Sequence, residues 1–325
     1  MEHPMPSPTT GEQLTHAALC CDENYAAYAT AVMISAIEHT SRPERLAFHL
    51  ISNGVHAETQ ERMTAEVANR GSQLNIYEAT NTTFEGLPVH RFGQAVYQRI
   101  LLGEYLPDDV SRIVYLDSDL MIRDDLSKLG DMDLQGYPLA AVEDLSKSAC
   151  KTIGIPRQEY FNSGVLVMDL KQWRSEGIHW QVAEYAAEHA HRLHYVDQCS
   201  LNGILHKRWL RLPPRWNAQA NVYKILKKYS EGSGYSVDEL EQATAWPAII
   251  HFTGKKKPWL QHCFHPYRSE FLEILDQLDW VKPHPSRTDR NEKLKYRLAL
   301  RDHLKNTSRK RLAERLRIRR PKPEF

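Results

Sequence analysis

No run of about 18 consecutive apolar residues occurs in this 325-residue chain, so no transmembrane helix is expected. The opening stretch, Met1 to Gln13, is polar and rich in proline, without a basic segment followed by an apolar one. No signal peptide is read there. Cysteine is scarce. The five residues (Cys20, Cys21, Cys150, Cys199, Cys263) are odd in number and show no C-x-x-C pairing. That argues against a disulfide framework and a zinc cluster, and favours a reducing compartment. Neither G-x-G-x-x-G nor G-x-x-x-x-G-K-[ST] is present, so a dinucleotide fold and a P-loop nucleotidase are unsupported, and no internal repeat is found. The expected location is cytoplasmic.

An excess of charge is lacking too, with a net charge of +1, but an asymmetry lies beneath it. Residues 286–325 hold 15 Lys/Arg and 5 Asp/Glu, a balance of +10, which leaves −9 for residues 1–285. An acidic body with a basic tail predicts that the tail meets an anionic surface. The length allows one large core plus appendages, or two modest domains.

Periodicity predicts strands at Leu14–Asp22, Leu46–Ser52 and Gln73–Ala79, separated by helices at Asn24–Thr40 and Ala57–Arg70, the second stopped by Gly71. A helix over Phe92–Leu106 ends at Pro107. Apolar runs at Leu139–Val142, Phe161–Leu170 and Ala248–Phe252 follow, with helical patterns over 171–191 and 196–206 and a polar, loop-rich stretch over 217–246. Strands alternating with helices indicate a sheet of βαβ units, which binds ligands beyond its strand carboxyl ends.

Residues 112–119 are the most informative. The apolar run Ile113-Val114-Tyr115-Leu116 ends in Asp117-Ser118-Asp119, two carboxylates one residue apart. In an extended strand both point the same way and repel unless a cation lies between them. Hard oxygen ligands suit Mg²⁺ or Mn²⁺. The bland alternative is a pair of solvated loop carboxylates. In Ile250-His251-Phe252-Thr253-Gly254-Lys255-Lys256-Lys257, the histidine offers a nitrogen ligand that favours Mn²⁺, the glycine a close backbone approach, and a lysine a diphosphate partner. Here the alternative is a core-edge histidine and a solvated basic turn. Asp197, at the start of a helix, reads equally as an N-cap.

Five segments occur in one order: Cys21-Asp22-Glu23-Asn24-Tyr25, Tyr115-Leu116-Asp117-Ser118-Asp119, Phe161-Asn162-Ser163-Gly164-Val165, Asp197-Gln198 with Leu201-Asn202-Gly203, and His251-Phe252-Thr253-Gly254 with Lys257-Pro258-Trp259. In these the chain resembles glycosyltransferase family 8, the retaining sugar-nucleotide transferases, and in particular bacterial lipopolysaccharide α-galactosyl- and α-glucosyltransferases. The resemblance covers roughly residues 14–280. It implies an α/β GT-A fold, a single nucleotide-diphospho-sugar-binding domain with a mixed sheet. The expected division is a flexible N-terminus (1–13), a GT-A catalytic domain (14–285) and a basic amphipathic helical tail (286–325).

The resemblance also implies a UDP-hexose donor, a glycan or glycolipid acceptor and a divalent cation, usually Mn²⁺ with Mg²⁺ as the alternative. Carried over residue by residue, Asp117, Asp119 and His251 ligate the metal. Asp22, Asn24 and Tyr25 hold the uridine; Ser118, Gly254 and Lys257 belong to the same nucleotide-binding group, with Gly254 and Lys257 on the diphosphate. Arg99, Asp144, Asn162, Asp197 and Gln198 surround the transferred hexose, and Tyr195 faces the acceptor. The Gln198 amide is a poor nucleophile, so same-face attack by the acceptor is easier to draw than a covalent glycosyl-enzyme. Cys199 departs from the family by replacing a second acid after Asp197-Gln198. The stretch Arg91-Phe92-Gly93-Gln94-Ala95 diverges as well.

Two rival readings are a phosphatase with Asp117 as nucleophile and Asp119 as acid, and a sugar-nucleotide-binding or membrane-tethering protein without turnover. The first accounts for none of the other four segments; the intact Asp117, Asp119, His251 and Lys257 argue against the second. No nucleic-acid partner is expected. In the tail, leucines at helical spacing (Leu294/Leu298, Leu300/Leu304, Leu312/Leu316) among many basic residues suit helices lying on the inner face of an anionic membrane. Deleting 286–325 is expected to solubilise the protein with little loss of transfer to a soluble acceptor. Vesicle sedimentation and a transfer assay check this, and an unfolded truncation would instead make the tail part of the fold.

Overall fold

The computed structural model describes residues 14–89, 93–146, 148–223 and 231–281. The expected N-terminal arm, the basic tail and the divergent Arg91-Phe92 lie outside these residues. The strands are β1 (Thr15–Cys21), β2 (Leu46–Ser52), β3 (Gln73–Glu78), β4 (Arg112–Leu116), β5 (Leu120–Ile122), β6 (Leu139–Glu143), β7 (Phe161–Asp169), β8 (Trp209–Arg211), β9 (Ala218–Gln219) and β10 (Ile249–His251). The larger sheet has seven strands in the order β3-β2-β1-β4-β7-β6-β8. Its β3-β2-β1-β4 half is parallel, β7 runs antiparallel to both β4 and β6, and β8 is parallel to β6. A second sheet, β5-β10-β9, lies beside it.

The strands β1, β2 and β4 are buried almost throughout because both faces are covered, so their apolar residues read as runs rather than alternations, interrupted only by Thr15, His16, His49, Ser52 and Arg112. Helix α1 (Ala26–Ile37) is buried on nearly all sides. Its Ala29, Val32 and Met33 join the main core, while Ala31 and Ile34 meet Phe271 and Ile274 of the outer helix Arg268–Leu275. Helix α2 (Ala57–Ala68) buries only Met63 and Val67, as an amphipathic surface helix does. The chain leaves β1 toward β2 on one side and returns at β4 on the other. The crevice beyond the carboxyl ends of β1 and β4 is therefore the switch point, and Asp22 and Asp117 stand at its rim.

Several expectations are corrected. The predicted helix over Phe92–Leu106 is a tight 3₁₀ segment, Gln94–Leu101, followed by one short turn at Leu102–Tyr105. Within it Tyr97, Gln98, Arg99, Ile100 and Leu101 are buried, and the Arg99 Nε bonds back to the Val96 carbonyl at 3.0 Å. The helical pattern over 171–191 is two helices, Leu170–Ser175 and Ile178–Glu188, broken where Gly177 turns to φ +61°. The loop-rich 217–246 stretch contains β9 and a helix, Val237–Ala245, opened by a reciprocal Ser236/Glu239 capping box that the S-x-x-E spelling encodes. Strands β5 and β8 are too short to leave a periodic signal.

The two sheets are tied through α1. The buried Ser35 hydroxyl donates to the Val32 carbonyl at 2.7 Å and accepts the β5 Ile122 N–H at 3.0 Å. Ser35→Ala leaves that amide unsatisfied in the core and is expected to cost about 1–3 kcal/mol. Urea unfolding reads this directly, and an unchanged midpoint would mean that the amide finds water.

Candidate active site

Asp117, Ser118 and Asp119 are not a continuation of β4. They form the turn that joins β4 to β5. The two carboxylates converge, but the alternation of an extended strand is not the cause. The Asp117 N–H is held by the Gly164 carbonyl of β7 at 2.9 Å, and the Asp119 carbonyl accepts the Phe252 N–H, just beyond β10, at 3.0 Å. Pairing of β10 with β5, His251 opposite Leu120, brings the histidine ring to the same point. One ligand atom each from Asp117, Asp119 and His251 lies within 4.8 Å of the others. The His251 Nε2 is 3.2 Å from Asp119 Oδ1 and 3.8 Å from Asp117 Oδ2.

The set fits a divalent cation. Two hard oxygens and an imidazole nitrogen face one space, with Lys257 on the far side of Asp119. Burial alone would raise the Asp119 carboxyl, but the Lys257 ammonium and the His251 ring outweigh it and hold the group below its ordinary range. Backbone closeness keeps the space open: a Cβ on Gly164 would sit 2.3 Å from His251 Cε1 and 2.7 Å from Asp117 Oδ2. Lys257 also donates to the Phe252 carbonyl at 3.1 Å, whereas Lys255 and Lys256 are exposed. The solvated-turn alternative thus holds for those two lysines only, and His251 is a buried member of the cluster.

Beside this cluster lies a polar pocket. The pairing of β6 with β7 shifts register between Ala141 and Val142: Asn162 lies opposite Val142, but Ser163, Gly164 and Val165 have no partner on β6. Asn162 Nδ2 donates to Asp144 Oδ2 at 3.2 Å and to Gln198 Oε1 at 3.1 Å. Gln198 Oε1 also accepts the Ser163 N–H at 3.1 Å, and its Nε2 donates to Asp144 at 2.9 Å and the Tyr160 hydroxyl at 3.3 Å. The Gln198 amide is held on both ends.

Arg99 is enclosed between carboxylates. It pairs with Asp117 at 2.9 Å and Asp197 at 3.3 Å, and donates to the Ser163 carbonyl at 2.9 Å. Asp197 lies inside the first turn of the helix Val196–Leu205 and does not cap it; Ser163 donates to it at 3.0 Å. Burial pushes the Asp197 carboxyl up to about 6 against the pull of Arg99. Cys199, one residue beyond Gln198, is fully buried among core side chains, 3.3 Å from the Tyr160 hydroxyl. Half-buried Tyr195 stands edge-on to His194 at 4.8 Å.

The third region is aromatic. Asp22 accepts the Tyr25 N–H at 3.2 Å, closing the 3₁₀ turn Glu23–Tyr25 and leaving Asn24 and Tyr25 exposed. Tyr28 stacks on Trp259 at 3.6 Å, and the Tyr25 ring meets both edge-on. Gly254 adopts φ +87° in open space, and the Ser118 hydroxyl is buried without a hydrogen bond among the described residues. The sequence reading missed Asn217, Tyr160 and the Ser163 side chain. Asn217 sits in the turn Pro214–Asn217, where no spacing rule singles it out.

The profile of glycosyl transferase family 8 matches residues 16–263, and the chain belongs to that family. General stress protein A of Bacillus subtilis (strain 168) is 29% identical over 275 residues, covering 83% of this chain and 96% of that one. The lipopolysaccharide 1,2-glucosyltransferase of Escherichia coli (strain K12) is 26% identical over 271 residues, 81% of this chain and 78% of the other. Among solved structures, the galactosyltransferase LgtC, in complex with donor and acceptor sugar analogues, superposes with a TM-score of 0.69 at 26% identity, covering 82% of this chain and 98% of that one. The fold is the GT-A fold of these glycosyltransferases.

Gly164→Ala tests the closeness of the cluster. Its Cβ must displace the His251 ring or Asp117, at an expected loss of about 1–3 kcal/mol of stability. Mn²⁺ binding should weaken as well. Denaturant unfolding and Mn²⁺ titration measure the two effects, and a variant with both unchanged would show that the ring moves aside freely.

Proposed function

We propose that the protein is a divalent-cation-dependent, retaining hexosyltransferase that moves galactose or glucose from a UDP-sugar to a glycan acceptor such as lipopolysaccharide. The observation that carries this reading is the Asp117/Asp119/His251 cluster beside the Asp144/Asn162/Asp197/Gln198 pocket, with the Lys257 ammonium on Asp119 and close enough to act on Tyr25. The lipopolysaccharide glucosyltransferase among its relatives supports the acceptor class.

A bound Mn²⁺ or Mg²⁺ supplies electrostatic stabilisation of the departing diphosphate. The chain's own part begins with Asp22, Asn24 and Tyr25, which hold the uridine, and Ser118, whose buried hydroxyl is offered to the nucleotide. Gly254 lets the backbone approach the diphosphate, and Lys257 exchanges part of its contact with Asp119 for the phosphate oxygens. Charge developing on UDP is met by that ammonium, so no protein acid is needed for the leaving group. Arg99, Asp144, Asn162, Asp197 and Gln198 orient the hexose, and Tyr195 faces the acceptor.

The Gln198 carbonyl, engaged by Asn162 and Ser163, is positioned to stabilise positive charge on the sugar ring but is a weak nucleophile. The next residue, Cys199, is turned into the core and supplies none. Both facts favour same-face attack by the acceptor over a covalent glycosyl-enzyme. On this reading the enzyme works peripherally at the cytoplasmic face of a membrane, with its basic tail toward anionic lipid.

A screen of UDP-sugars for Mn²⁺-dependent UDP release tests the proposal and assigns the donor. Asp119→Asn is expected to lower the rate about 100-fold or more, equivalent to ~3 kcal/mol of transition-state stabilisation, in a protein that still folds. Wild-type turnover unaffected by chelation, or full activity in Asp119→Asn, would remove the cation from the mechanism.

A further inference from the structure

One chain of buried hydrogen bonds runs from the hexose pocket to the cation cluster, and its polarity is set from one end. The Gly164 N–H can only donate, and it lies 3.1 Å from Asn162 Oδ1. That fixes the Asn162 amide, whose Nδ2 then faces Asp144 Oδ2 at 3.2 Å. Asn162 Oδ1 also meets Asn217 at 2.8 Å, so Asn217 must present its Nδ2 there. Its Oδ1 is left facing His251 Nδ1 at 2.9 Å. An oxygen at that distance needs a proton on Nδ1. The opposite nitrogen, Nε2, is the one that points at Asp117 and Asp119.

We propose that Asn217 is a positioning residue that commits the His251 ring to a protonated Nδ1, so that Nε2 offers its lone pair to the cation, and that it ties this ring to the hexose pocket through Asn162. Asn217 is fully buried, and its position follows from the pairing of β9 with β10, where Gln219 lies beside His251. An outer partner of this kind sets both the tautomer and the ring orientation of a metal-binding histidine. The arrangement also joins the two halves of the site. Asn162 hydrogen-bonds Gln198 and Asp144 with one end of its amide and Asn217 with the other, so the hexose side and the cation side share one rigid amide.

The inference rests on the reading of Asp117, Asp119 and His251 as a cation site, and the test separates the two. Mn²⁺ titration of the full chain without donor, followed by water-proton relaxation, comes first; a wild-type protein that fails to bind overturns the cation site and this inference with it. Given wild-type binding, Asn217→Ala is expected to weaken Mn²⁺ about 10–100-fold in a folded protein. Asn217→Asp keeps an acceptor for Nδ1 but loses the donor to Asn162. It should retain Mn²⁺ affinity close to wild type while raising KM for the UDP-sugar. Unchanged Mn²⁺ affinity in Asn217→Ala, or equal weakening in both variants, overturns the inference alone. Should Asn217→Ala fail to fold, the wild-type ring decides. Its ¹⁵N shifts, assigned by their loss in His251→Gln, must show a protonated Nδ1, and a ring protonated only on Nε2 refutes the proposal.

Discussion

The site is governed by crowded negative charge. Asp117, Asp119 and Asp197 converge at one end of the sheet, where like charges repel and burial penalises Asp119 and Asp197. Two cations built into the chain make this tolerable. Arg99 is wedged between Asp117 and Asp197 and also covers the Tyr115 ring at 4.5 Å, while Lys257 closes on Asp119. The compensation is uneven. Asp119 is held below its ordinary range, while Asp197 stays high, because burial outweighs its guanidinium partner. A guanidinium between carboxylates is a rigid, always-charged fork, and it organises the surrounding backbone as well.

Much of the local architecture answers to that requirement. The Gln94–Leu101 segment is wound as a tight helix around buried Arg99, which also grips the Ser163 carbonyl. The irregular start of β7 places Asn162, Ser163 and Gly164 against Gln198, Asp197 and Asp117 in turn. The small second sheet presents His251 from the opposite side. The polar groups of the site come from widely separated stretches of chain, and buried hydrogen bonds hold their spacing. Pre-organised polar groups of this kind are what electrostatic catalysis requires.

The βαβ half was legible because its strands are long, apolar and separated by helices of ordinary period. The strand readings at Leu46–Ser52 and Gln73–Ala79 match the strands observed to within a residue. The shortest strands were less so. β5, β8 and β9 have three residues or fewer, too few for any period to register, while β10, equally short, showed as the apolar run Ala248–Phe252; all four are completed by hydrogen bonds from neighbouring strands. The 3₁₀ winding around Arg99 escaped for a related reason. Helical spacing was present in the sequence, but nothing in it distinguishes the tighter pitch that accompanies the buried Arg99 ion pairs. The Asp117/Asp119 pair was found by an argument that was right in outcome and wrong in cause, since a turn and not a strand brings the carboxylates together.

The sequence by itself determined the chemistry available: two aspartates one residue apart, a histidine followed by glycine and lysine, an Asp-Gln pair, and an Asp-Glu-Asn-Tyr segment after the first strand. Side-chain types and short spacings are local, and local patterns suffice to say which ligands a chain can offer. Only the tertiary structure decided which oxygen and which nitrogen meet. His251 stands 132 residues from Asp119 and 34 from Asn217, and each distance is closed by strand pairing that no local signal encodes. That pairing, with the buried Asn162 and Asn217 amides it aligns, turns a set of polar residues into one connected site.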